Sequence, residues 1–129
     1  MSPATSSASA KDARTDRQLA ILMAHAFCLP LKVIGKSDTS LSSYAVFWSV
    51  AAHEGRTQVE VANGTGLSAK TVSRVITHLG DTPNGLGWIR QVPDDDDRRV
   101  RRLFLSRKGK FLHTRLLKEL RKKGTRAQV

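Results

Sequence analysis

Apolar positions outline the chain. Leu19, Leu22, Met23, Ala26 and Phe27 form a stripe that predicts a helix from about Arg14 to Leu29, with Pro30 ending it. Tyr44 to Ala52 is apolar nearly all round, which predicts a core helix over roughly Leu41 to His53, capped by Ser40 and closed by Gly55. Thr57-Gln58-Val59-Glu60 has the form of a capping box, in which Thr57 and Glu60 each satisfy a free backbone N–H; it starts a short helix that Asn63-Gly64-Thr65-Gly66 breaks. Val72, Val75, Ile76 and Leu79 then fall at i, i+3, i+4 and i+7, between a Ser68 cap and a Gly80 stop. Asp81 to Gly87 carries turn signals throughout. Trp88 to Val92 reads as a strand, Pro93 to Arg98 as a charged tip and Arg99 to Leu105 as a returning strand. Leu112, Leu116 and Leu120 mark a last helix.

Two short helices joined by a Gly-containing turn match a helix-turn-helix, whose second helix enters the DNA major groove; an ordinary helical hairpin in a small core matches the spacing equally well. The hairpin that follows shifts the balance. It gives the expected fold class: mainly α with a small β-hairpin wing, a winged helix-turn-helix. On the open face of the second helix stand Ala69, Lys70, Thr71, Ser73, Arg74, Thr77 and His78, with no carboxylate to repel phosphates or base edges. The hairpin tip is placed for a minor-groove contact, because a single Arg entering the narrow groove meets a concentrated negative potential.

Length and charge sharpen this picture. With 129 residues the chain is read as one domain over residues 14–123. It is preceded by a Ser/Ala/Thr-rich Met1–Ala13 expected to lack ordered structure, and followed by a basic tail over residues 124–129. The formal charge is +11, and from Arg98 onward thirteen Lys/Arg face one acidic residue, Glu119, so a polyanion is the expected partner. Cys28 is the only cysteine, which excludes an internal disulfide and fits a reducing cytoplasm. Standing in an apolar helix, Cys28 reads as a small buried hydrophobe. The apolar run Gln18–Leu31 is too short to span a bilayer, is interrupted by His25 and lacks a clean cleavage site; it reads as a buried helix, with a signal peptide as the alternative. His25, His53, His78 and His113 have no ligand spacing, and Asp94 to Asp97 reads as a solvated turn, so no metal or cofactor is expected. No nucleophile–base set or phosphate loop points to an enzyme.

Three stretches carry a family resemblance: Thr57-Gln58-Val59-Glu60-Val61-Ala62; Gly66-Leu67-Ser68-Ala69-Lys70-Thr71-Val72-Ser73-Arg74; and Asp97-Arg98-Arg99 followed by Leu103-Phe104-Leu105-Ser106-Arg107-Lys108-Gly109. Together they resemble the MarR family of bacterial transcriptional regulators, in a short variant, with Ser106 where the family has Thr. The resemblance implies a winged-helix domain, double-stranded DNA as ligand and a homodimer reading an inverted repeat. It makes Ser68, Lys70, Thr71, Ser73 and Arg74 the recognition-helix contacts and Arg99 the wing arginine, with Asp97 orienting it and Arg98 near a phosphate. Some regulators of this family carry a peroxide-sensing thiol near the N-terminal helix, which is the alternative reading of Cys28. The expected function is a transcriptional regulator, acting as a repressor by occluding a promoter. The alternatives are a replication or plasmid-maintenance DNA-binding protein, or a winged-helix interaction module with an RNA-binding basic tail. No membrane partner is expected, and a small-molecule effector is left open.

Overall fold

A computed structural model describes residues 4–34 and 40–127. Its elements run α1 (Ala4–Ile34), α2 (Leu41–Ala52), β1 (Arg56–Thr57), α3 (Gln58–Thr65), α4 (Ala69–Leu79), β2 (Ile89–Pro93), β3 (Arg101–Leu105) and α5 (Arg107–Ala127). The mainly helical class with a β-hairpin is the one expected. The chain divides into two compact units, Asp38–Thr114 and a second made of Met1–Ser37 with Arg115–Val129, where composition predicts a single domain over 14–123.

Within Asp38–Thr114, the all-round apolar helix α2 is central: it packs on α3, α4 and β3. Val46, Phe47 and Val50 are buried there, together with Val61 of α3, the Val72, Val75, Ile76 and Leu79 face of α4, and Ile89, Leu103 and Leu105 of the sheet. The Ser40 side chain accepts a hydrogen bond from the Ser43 N–H at 3.1 Å and so caps α2. Trp88 precedes β2 instead of opening it, and its ring meets Phe47 edge-on at 5.7 Å. Trp48, on the same helix, sits 5.4 Å from His113.

The sheet has three strands, not two, in the order β1-β3-β2 and all antiparallel. Arg56 and Thr57 pair with Leu103 and Arg102, so the residues that lead into α3 also hold the hairpin against it. Two residues are too few for a strand signal in sequence. Between α4 and β2 the loop folds back tightly, with Leu86 N–H donating to the His78 carbonyl and Trp88 N–H to that of Leu79.

Where the hairpin meets α5, Ser106 stands in place of the expected Thr and its hydroxyl is bonded on both sides. Its hydroxyl donates to the Gly87 carbonyl at 2.5 Å and accepts from the Gly109 N–H at 3.0 Å. Gly109 lies so close to the Trp88 backbone that a Cβ would collide with its carbonyl. That close approach is the physical reason for a glycine three residues after the cap.

Helix α1 exceeds its predicted length, and α5 runs on either side of the stripe that marks it. Composition predicts no order over Met1–Ala13; Met1–Pro3 lie outside the described residues, and α1 begins at Ala4, in keeping with the high helix propensity of Ala4, Ala8, Ala10 and Ala13. It also runs through Pro30, which removes one intrahelical donor without ending the helix. Likewise α5 continues to Ala127, taking in most of what was read as a tail over 124–129. Cys28 is exposed, which corrects its reading as a buried hydrophobe: helical spacing turns it away from the buried Pro30 side. Leu19, Met23, Phe27 and Leu31 recur at every fourth position of α1, each about half exposed. No helix among the described residues is long and apolar enough to cross a membrane.

Candidate nucleic-acid interface

Helix α3 begins with the capping box that the sequence predicts. The Thr57 hydroxyl accepts from the Glu60 N–H at 3.2 Å, while the Glu60 carboxylate accepts from the Thr57 N–H at 3.1 Å. That backbone hydrogen bond holds the Glu60 carboxyl below its ordinary pKa, with help from the Thr57 hydroxyl. Gly64 does not break the helix; it ends at Thr65, whose hydroxyl donates to the Val61 carbonyl at 2.8 Å. Gly66 then takes the left-handed conformation at φ +78°, and the chain turns into α4.

Ser68 caps α4 by accepting from the Thr71 N–H at 3.1 Å, and its hydroxyl also donates to that of Thr71 at 2.9 Å. Ser68 and Thr71 therefore organise the start of the helix, and Thr71 is half-buried. Lys70, Ser73, Arg74, Thr77 and His78 are all exposed on the side opposite the buried stripe. The Thr77 hydroxyl bonds back to the Ser73 carbonyl at 3.1 Å. What remains open is a face of two cations, small groups and one imidazole.

The hairpin tip is fixed by charge. Asp97 accepts from the Arg99 N–H at 3.1 Å and from its guanidinium at 3.2 and 3.4 Å, leaving the Arg99 side chain 92% exposed. Asp97 and Arg99 are thus brought together as the resemblance implies, while Arg98 lies exposed beside them. Arg99 shares a cleft of about 260 Å³ with Thr57, Gln58, Val59, Val100 and Arg101, which puts the wing arginine beside the start of α3.

Two residues at the wing escaped the sequence reading. Asp94 accepts from Arg102 Nε at 2.6 Å, and Arg102 also donates to the Gly55 carbonyl at 2.8 Å, tying both sides of the hairpin to the loop before α3. Asp94 further accepts from the N–H groups of Asp96 and Asp97. It is 17% exposed, so the run read as a solvated turn has an ordered anchor at its first carboxylate. The hydrogen bond from Arg102 holds the Asp94 carboxyl below its ordinary pKa, and Asp94 raises that of Arg102 in return. Across the hairpin, Val92 pairs with Arg102, so the strand register was the available clue. Among the described residues no group of three His, Cys, Asp or Glu side chains could hold a metal ion.

A helix-turn-helix followed by an anchored antiparallel hairpin defines a winged helix-turn-helix. Solved structures of MarR-type transcriptional regulators share this arrangement. The PcaV transcriptional regulator from Streptomyces coelicolor is 25% identical over 82% of this chain and 74% of its own, with TM-score 0.58. Its complex with its natural ligand matches at 28% identity and TM-score 0.57, over 81% of this chain and 72% of that one. A MarR transcriptional regulator from Methanosarcina mazei Go1 matches at 24% identity and TM-score 0.54, over 65% and 57% of the two chains. FabT from Streptococcus pneumoniae in complex with DNA shares the fold at 22% identity and TM-score 0.58, over 84% of this chain and 77% of its own. No family model and no curated protein matches the sequence. The chain has a MarR-like winged-helix fold.

Proposed function

We propose that the protein is a sequence-specific regulator of transcription that binds double-stranded DNA as a homodimer and represses by occluding a promoter. The observation that carries this reading is the exposed face of α4: Lys70, Ser73, Arg74, Thr77 and His78 without a carboxylate, on a helix whose other side is locked into the core. Lys70 and Arg74 donate to guanine edges or phosphates, and the hydroxyls to phosphates or bases. Arg99, held by Asp97, reaches the adjacent minor groove. Support also comes from the same fold in FabT, solved in complex with DNA. The half-exposed Leu19, Met23, Phe27 and Leu31 stripe on α1 supports pairing with a second copy, because an apolar row of this length is ordinarily covered.

Selection of bound duplexes from a randomised pool, at low and physiological salt, tests the assignment. An enriched inverted repeat that persists at the higher salt is the expected result. Arg74→Ala and Arg99→Ala should each weaken binding to it by about 1–3 kcal/mol with the fold intact. Unchanged affinity in both variants would remove these faces from the interface.

A further inference from the structure

Helix α5 presents a second charged face, on the side of the helix away from its buried residues. At about 100° per residue, Arg107, Phe111, Thr114 and Lys118 form one line along it, and Lys108 and Lys110 flank that line on either side. Gly109, against the Trp88 backbone, and the buried Leu116 fall on the opposite side. Phe111 is 71% exposed, more than any other large hydrophobic side chain among the described residues. An aromatic ring is therefore held in water among cations on one helix face.

We propose that this face of α5 is a second nucleic-acid site, for an unpaired strand, in which Phe111 stacks on a base and Arg107, Lys108 and Lys110 hold the flanking phosphates. Cations interleaved with an aromatic are the composition that single strands require, since each unstacked base offers a π-face and each linkage a negative charge. A duplex backbone satisfies the cations equally but keeps its π-faces stacked inside, leaving Phe111 nothing to meet. A bilayer surface needs a broad apolar face to insert, and here Phe111 stands alone on its side of the helix. A second copy of the same face would bring like charges together.

The experiment uses the full chain and fluorescence anisotropy with labelled oligothymidylate and oligouridylate of about 20 nucleotides, longer than one such site. Both strands should bind. Phe111→Ala should weaken binding by about five- to hundredfold, and Phe111→Tyr should retain it, because the phenol ring stacks as well. Arg107→Ala with Lys110→Ala should lower the slope of log affinity against log salt by about 1.4, two single-strand phosphates' worth. Phe111 is exposed, so circular dichroism of the alanine variant should match that of the parent. Tighter binding of oligouridylate assigns RNA as the ligand, and equal or tighter binding of oligothymidylate assigns DNA; either supports the site. Unchanged affinity in Phe111→Ala overturns the proposal. So does a loss produced by Arg74→Ala alone, which would place the strand on α4, or binding to anionic phosphatidylglycerol vesicles with none to either oligonucleotide.

Discussion

Helix α4 and the hairpin tip are the two parts of the proposed DNA-binding surface, but they are held by different physics. Val72, Val75, Ile76 and Leu79 anchor α4 in the core, and its exposed side chains ride on that anchor. From Asp94 to Val100 no residue is buried, and order comes from Arg102 bridging Asp94 and the Gly55 carbonyl, with Asp97 gripping Arg99. Apolar burial has no charge to screen or titrate, whereas paired charges respond to both salt and acid. Helix α4 is therefore a fixed element and the wing a conditional one.

Truncating the core should produce the largest effect. Ile76 is fully buried, so Ile76→Ala should cost about 2–5 kcal/mol of stability, read from the urea midpoint. Arg102→Ala should cost much less, because the side chain is 43% exposed and solvent screens its ion pair. Its larger consequence should fall on DNA binding, through loss of a fixed wing. Comparable stability losses in the two variants would mean that α4 and the wing are held alike.

Acid tests the same contrast by titration. Arg102 holds the Asp94 carboxyl below its ordinary pKa, so this contribution to stability is complete above the ordinary carboxylate range and is lost as pH falls through the depressed value. Glu60 is shifted in the same direction by Thr57 and adds to the slope. Thermal midpoints of the parent should fall below about pH 4, and Asp94→Asn should flatten only part of that fall. A slope identical in parent and variant would detach Asp94 from wing stability. The smallest effect expected is electrostatic: Asp95→Asn with Asp96→Asn removes two exposed charges from the tip and should tighten duplex binding on the order of severalfold at low salt, fading as the Debye length shrinks. Tightening that persists at high salt would require a direct contact instead.

Local chemistry was legible wherever cause and effect lie within a few residues. The capping box at Thr57 and Glu60, the Ser68 cap, the Gly66 turn and the buried stripe of α4 are all contained in one or two helical turns, and all appear where residue type predicts them. The pairing of Asp97 with Arg99 also spans only two residues, but the family resemblance, not local chemistry, pointed to it. The helix ends were less legible. Alanine propensity carried α1 back to Ala4, and a single missing donor at Pro30 did not stop it.

Tertiary structure alone decided what joins distant parts of the chain. Arg102 meets the Gly55 carbonyl across 47 residues, β1 finds β3, Gly109 presses on the Trp88 backbone, and Arg99 comes to lie by the start of α3. Sequence patterns report the periodicity and end chemistry of one element at a time. Which carboxylate in a run of four is anchored, and against what, depends on strand register and on a loop far earlier in the chain, and only the folded chain brings those groups within hydrogen-bonding reach.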